Sequence, residues 1–162
     1  MLNYCPQCGT ALQMREDGLD GMVPYCTGCG RFVHPRFNVA VSMVTIDEKT
    51  QRILMIQQYG NPYNILVAGY VNHTENAESA VARELKEETG LTAETIRFNR
   101  SRYYAPSDTL IFNFAVTVKD ASELSPNEEI DSCAWFTFDE ARRDVKPNSL
   151  AQYFLESWLD NN

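Results

Sequence analysis

Three carboxylates crowd one short segment of the chain, Arg83-Glu84-Leu85-Lys86-Glu87-Glu88. On an α-helix Glu84, Glu87 and Glu88 fall within an arc of roughly 100°, at ~100° per residue. Residues three and four apart are neighbours there, so each like-charged pair costs roughly a few tenths of a kcal/mol unless something neutralises it. Hard oxygen donors on one helical ridge suit Mg²⁺ or Mn²⁺, ions that bridge a few carboxylates and the phosphates of a substrate. The competing reading is a solvated acidic face on which Arg83 and Lys86 pair locally. A second set of ligands stands near the start of the chain. Cys5 and Cys8 in "CPQC" and Cys26 and Cys29 in "CTGC" are separated by 17 residues, 9 to 25. Two such knuckles at this spacing read as a four-cysteine structural zinc site. Gly9 and Gly30 follow the knuckles and suit tight turns that bring backbone amides near the sulfurs. The fifth cysteine, Cys133, lies in an apolar strand-like run and reads as a small core residue rather than a nucleophile.

The elements that must position these groups follow from periodicity. Residues 1–35 are rich in cysteine, glycine and turn formers, and a unit so small must draw folding energy from its metal. "HPRF", His34 to Phe37, reads as a short linker, with His34 a surface histidine because four thiolates already fill a tetrahedral site. Residues 36–162 then read as one α+β domain with a mixed sheet between helices. "NVAVSMVTID" and "RILMIQQ" form two strands around a turn at "EKTQ", and "YNILVAG" a third strand ending at Gly69. "NAESAVARELKEETG" is the clearest helix: Asn76 caps it, Ala77, Val81 and Leu85 repeat at helical spacing, and Gly90 closes it. Strands follow at "ETIRFNRSRYY", "TLIFNFAVTVK" and "DSCAWFTF", then helices at "DEARRDV" and "SLAQYFLESWLD".

Of the 162 residues, 44% are hydrophobic and 22% charged, the profile of a globular domain with a real core. No apolar run approaches the ~20 residues that cross a bilayer, and the N-terminal stretch lacks the pattern of a secretory signal. A cytoplasmic protein without a membrane partner is the expectation. The net charge of −8 disfavours bulk nucleic acid but not a small anionic nucleotide, because metal ions reverse the field locally.

Reading outward from the acidic triad gives "GYVNHTENAESAVARELKEETGL", with Gly69, Glu75, Arg83-Glu84, Glu87-Glu88 and Gly90 at fixed separations. This segment resembles the Nudix box at every fixed position. Seven charged or glycine positions give a chance match on the order of 10⁻⁹ per starting point. The resemblance runs from the strand at Asn38 to "WFTFDEA" and implies the Nudix α/β/α sandwich. It further implies that Glu84, Glu87 and Glu88 ligate a divalent cation, Mg²⁺ or Mn²⁺, that Glu75 and Arg83 brace the loop against the helix, and that Gly69 and Gly90 permit its turns. The implied activity is hydrolysis of a nucleoside diphosphate linked to another group.

A cysteine ribbon ahead of such a domain resembles the NADH pyrophosphatase family. "EIDSCAWF" is similar to that family's EIxxARWF segment, which makes Glu129 a further metal-binding or catalytic carboxylate; the alternative is a surface acid beside Glu128. "SRYYAPSDT", Ser101 to Thr109, stands where the family has SQPWPFPxS. Tyr103 and Tyr104 are candidates there for stacking on a base, or else half-exposed strand residues. Asn72 replaces the usual glutamate, and Thr74 the usual glycine before Glu75. His73 is read as solvated in preference to acid or base. The expected substrates are NADH- or NAD-like dinucleotides, with ADP-ribose, FAD and other nucleoside diphosphate derivatives, or a non-catalytic nucleotide sensor, as alternatives. The resemblance also implies pairing of two copies, for which the aromatic helix "SLAQYFLESWLD" offers a surface, unless that helix only closes the core.

Overall fold

The computed structural model describes residues 3–34 and 36–161, so Pro35 of the "HPRF" stretch lies outside the described residues. The chain divides into two compact units, Met1–Phe37 and Asn38–Asn162. The first is a three-stranded antiparallel sheet of β1 (Gln13–Glu16), β2 (Met22–Cys26) and β3 (Arg31–Phe32). Its buried apolar group is small, with Cys5, Cys26 and Val33 at the centre. So little buried surface leaves the cysteines as the main tie in this unit.

The second unit is built on two ten-residue strands, β4 (Asn38–Asp47) and β8 (Thr109–Val118), which run parallel in unbroken register. Around them lie β5 (Arg52–Gln58), β6 (Val67–Tyr70), β7 (Ala93–Tyr104) and β9 (Ile130–Phe136). The sheet order is β7-β8-β4-β5-β9. On the side away from β8, β4 divides its pairing. Ala40 to Met43 pair with β6, and Thr45 to Asp47 pair with β5. β5 is apolar without alternation because both its faces are covered: Ile53 and Met55 enter one core and Leu54 and Ile56 the other.

Helix α1 (Ala77–Thr89) closes one face, burying Ala80, Val81 and Leu85. The other face is closed by α2 (Phe138–Asp144) and α3 (Leu150–Leu159), where Phe154 and Leu155 are fully buried. The amphipathic stripe of the C-terminal helix thus faces the core. Among the described residues, three α-helices around one mixed sheet give the α/β/α sandwich.

Most boundaries shift by a residue from the sequence reading, and two shifts have a clear physical cause or a larger extent. The strand read as "DSCAWFTF" stops at Phe136, because Thr137 caps α2 in a capping box with Glu140. The strand read as "YNILVAG" is confined to Val67–Tyr70, with Asn64 and Ile65 making only isolated bridges. In the loop before α1, Thr74 adopts φ of 69°. A β-branched residue is strained there, and glycine is not. Thr74→Gly is therefore expected to raise stability by about 1 kcal/mol, seen as a higher urea midpoint at unchanged slope.

Candidate functional site

Helix α1 carries the acidic ridge, and its ends are fixed by local chemistry. The Asn76 side chain accepts the Ser79 amide at 2.8 Å, which caps the N-terminus. Gly90 ends the helix with φ of 73°, and a Cβ there would press on Glu123 O and Ser125. Between these caps Arg83 is the hub. Its Nε and Nη2 donate to both oxygens of Glu75 at 2.9 Å, and Nη2 also reaches Tyr70 O at 3.0 Å. Its Nη1 donates to Glu84 at 2.7 Å and Glu87 at 3.0 Å. The Arg83 guanidinium and the Asn72 amide hold the Glu75 carboxyl down to about 2. Loop, strand end and helix are thus tied through one side chain.

Glu84 lies against Gly69 of β6, where any Cβ would overlap its carboxylate. Glycine is required at position 69 by that close approach. Glu87 is exposed, whereas Glu88 is only 5% exposed. Gln58 donates to Glu88 Oε2 at 3.1 Å. Burial, then the charges of Glu84 and Glu129, push the Glu88 carboxyl up to about 7. The segment from Ser125 to Glu129 is laced to the C-terminal end of α1, Ser125 N to Thr89 O at 2.8 Å and Asn127 N to Glu88 O at 2.9 Å. That lacing brings Glu129 to the ridge, where its Oε2 accepts the Tyr59 hydroxyl at 3.2 Å. His73 is exposed on the preceding loop, and Cys133 is half-buried against the core on the α1 face.

The far side of β6 faces a cavity of about 380 Å³, lined among others by Ser42, Ala68, Tyr104, Ile111, Asn148 and Phe154. Consecutive residues of one strand thus serve two places: Ala68 lines the cavity and Gly69 seats Glu84. Tyr103 and Tyr104 are separated by the same alternation. Tyr104 walls the cavity, and the Tyr103 hydroxyl donates to Asp108 at 2.6 Å. Sequence reasoning missed Gln58, Tyr59 and Asn127, which carry no motif and lie 30 to 70 residues from their partners.

In the N-terminal unit Cys5, Cys8, Cys26 and Cys29 have sulfurs all within 4.8 Å of one another, the one such group of potential metal ligands among the described residues. His34 is not part of it. The glutamates of the ridge are more widely spread, as expected while Arg83 occupies Glu84 and Glu87. The Cys5–Cys29 and Cys8–Cys26 sulfur separations are 3.9 and 3.4 Å. Four sulfurs at ≈ 2.3 Å from a tetrahedral ion stand about 3.8 Å apart, so the donor set fits. Gly9 and Gly30 have φ of 72° and 65°, the knuckle turns that their position required. Hydrogen bonding to Thr10 holds Cys8 down to about 6, while the neighbouring thiols push Cys29 up to about 12. Four sulfurs so close cannot all ionise unless a cation joins them.

The family model of the NUDIX domain matches residues 36–156. The NAD-capped RNA hydrolase NudC of Vibrio vulnificus is 29% identical over 99% of this chain and 60% of its own length. The enzyme of that name from Vibrio cholerae is 27% identical over 98% of this chain and 58% of its own. The chain thus spans about 60% of these relatives' length. A NUDIX hydrolase structure from Nitrosomonas europaea superposes with a TM-score of 0.68 at 20% identity, covering 97% of this chain and 88% of that one.

The raised Glu88 carboxyl sets a pH dependence. The folded chain holds its proton to about pH 7, the unfolded chain only to its ordinary 4.5. Without a divalent cation, stability is therefore lost as pH rises through that window, by on the order of 3 kcal/mol. Glu88→Gln is expected to flatten that part of the curve, compared by urea titration of chelated wild type and variant at pH 4.5 and 7.5.

Proposed function

The chain belongs to the NUDIX family, and on that premise we propose that it is a metal-dependent hydrolase of nucleoside diphosphates joined to a second group, with NAD-like dinucleotides favoured. The observation that carries the reading is Glu88, a buried carboxylate beside the charges of three others with one amide donor to offset them. Once Glu88 ionises, such a cluster calls for a cation to offset its charge. The relatives' names support the dinucleotide. A chain of net charge −8 has little with which to grip the polyanionic body of an RNA, which favours the small substrate.

Glu84, Glu87, Glu88 and Glu129 would hold Mg²⁺ or Mn²⁺, and such an ion neutralises a diphosphate and lowers the pKa of an attacking water. Glu75 and Arg83 keep the loop against α1, so the helix that carries the carboxylates is fixed in place before substrate arrives. Gly69 leaves Glu84 its place beside β6. Across that strand the cavity takes a planar ring of the substrate, with Tyr104 offering an aromatic face and Asn148 a polar edge. Tyr103, bonded to Asp108, shapes the adjoining turn. Water attacks one phosphorus, the bridging oxygen leaves with the other phosphate, and a mononucleotide is released.

The four cysteines would hold Zn²⁺ in a closed site that leaves no position for substrate, a structural ion. The purified chain is expected to contain one zinc. Its removal by a strong chelator should erase the fold of the first unit, seen as collapse of amide dispersion confined to that unit. A zinc-free chain with that dispersion intact contradicts the assignment.

With Mg²⁺ or Mn²⁺ the chain should release mononucleotide from at least one of NADH, NAD, ADP-ribose, FAD and dinucleoside polyphosphates. Glu87→Gln should lower kcat by on the order of 10²-fold or more while nucleotide binding survives. Binding without turnover across the whole panel makes the chain a sensor instead.

A further inference from the structure

Strand β5 leaves the sheet through a turn whose conformation its own sequence disfavours. Asn61 N donates to Gln58 O at 3.0 Å, and the two central residues, Tyr59 and Gly60, have φ of 55° and 69°. Positive φ at both central positions is the type I′ pattern, which glycine, asparagine and aspartate adopt readily. Gly60 suits it. Tyr59 does not, and its side chain is 78% exposed, so burial of the ring offers nothing to offset that strain.

What the turn does instead is hold acids. Gln58 Nε2 donates to Glu88 Oε2 at 3.1 Å, the Tyr59 hydroxyl to Glu129 Oε2 at 3.2 Å, and the Gly60 amide to Asp131 Oδ2 at 2.6 Å. Three consecutive residues thus grip three carboxylates that come from two other elements, α1 and the entry to β9. The grip begins where the β5–β9 register shifts, between Gln57 and Gln58.

We propose that Gln58 and Tyr59 are positioning residues that set the separation of Glu88 and Glu129 for a divalent cation, an inference that rests on the reading of the ridge as a cation site. A carboxylate has lone pairs for both a hydrogen bond and a metal. With Oε2 of each glutamate engaged by the turn, Oε1 is the oxygen left for an ion. Fixing the carboxylate before the cation arrives removes rotamer freedom that binding must otherwise freeze. The left-handed Tyr59 thus places its hydroxyl within hydrogen-bond reach of Glu129.

Metal affinity should therefore fall in variants that lose no stability. Tyr59→Asn suits the turn and removes the hydroxyl, so its Tm should rise while Mn²⁺ binding weakens. Tyr59→Phe keeps the ring and should weaken Mn²⁺ by about tenfold with Tm unmoved, and Gln58→Met should do the same through Glu88. Mn²⁺ binding to the zinc-loaded chain is read by electron paramagnetic resonance of the free ion, with Glu87→Gln as reference. If the wild type binds Mn²⁺ that Glu87→Gln loses, yet Tyr59→Phe and Gln58→Met bind as the wild type does, the positioning role is overturned and the cation site stands. If the wild type binds no such ion, both fall.

Discussion

The fork between Arg83 and Glu75 is the constraint on which the candidate site depends. Two parallel hydrogen bonds at 2.9 Å join a helix residue to the loop that precedes the helix. The remaining guanidinium hydrogens reach the end of β6 and two ridge carboxylates. A lysine could not replace this, since an ammonium is one point charge and lacks the planar geometry that meets four groups at once. Without the fork, Glu84 and Glu87 would face each other's charge, and the loop would lose its hold on the strand. The helix alone cannot supply that order, because its apolar stripe fixes only the side that faces the sheet.

Much of this arrangement was legible because it is local. Asn76, Arg83, Glu84, Glu87, Glu88 and Gly90 lie within fifteen residues, and helical geometry converts their spacing directly into positions. Gly69 could be named from its place before the box, but the reason for it could not: the overlap with Glu84 is a strand-to-helix contact. Strand β5 was found from its apolar run, and its two-sided burial explains why that run does not alternate. Thr137 shows the opposite case. In a stretch of aromatic and β-branched residues it looks like strand, and only its reciprocal bonds with Glu140 make it a cap.

What stayed hidden is what the sheet brings together. Tyr59 and Glu129 are joined because β5 and β9 are neighbours, and strand order is not written in any single strand. The two tyrosines illustrate the same limit at shorter range. Adjacent in sequence, both are candidates for stacking on a base, yet pleating sends Tyr104 to the cavity and Tyr103 to Asp108. A strand reading that gave face as well as type would have separated them. The bulge in β7 between Phe98 and Arg100 defeats such a reading, because it resets the alternation just before these residues.

Placing the ridge and the cavity on opposite sides of β6 has a consequence for selectivity. Carboxylates that hold a cation recognise a diphosphate and are indifferent to what is attached to it, since phosphate oxygens are alike in every such ester. On the proposed reading, discrimination among nucleotides falls to the cavity, which offers shape and a few polar groups such as Ser42 and Asn148. The two functions are mechanically linked through one residue step, Ala68 to Gly69, so a side chain that enlarges position 68 alters the pocket without touching Glu84. An overall negative protein can work on a negative substrate under this division. A cation held at the ridge would neutralise the diphosphate, and the largely apolar cavity would ask no charge of the ring.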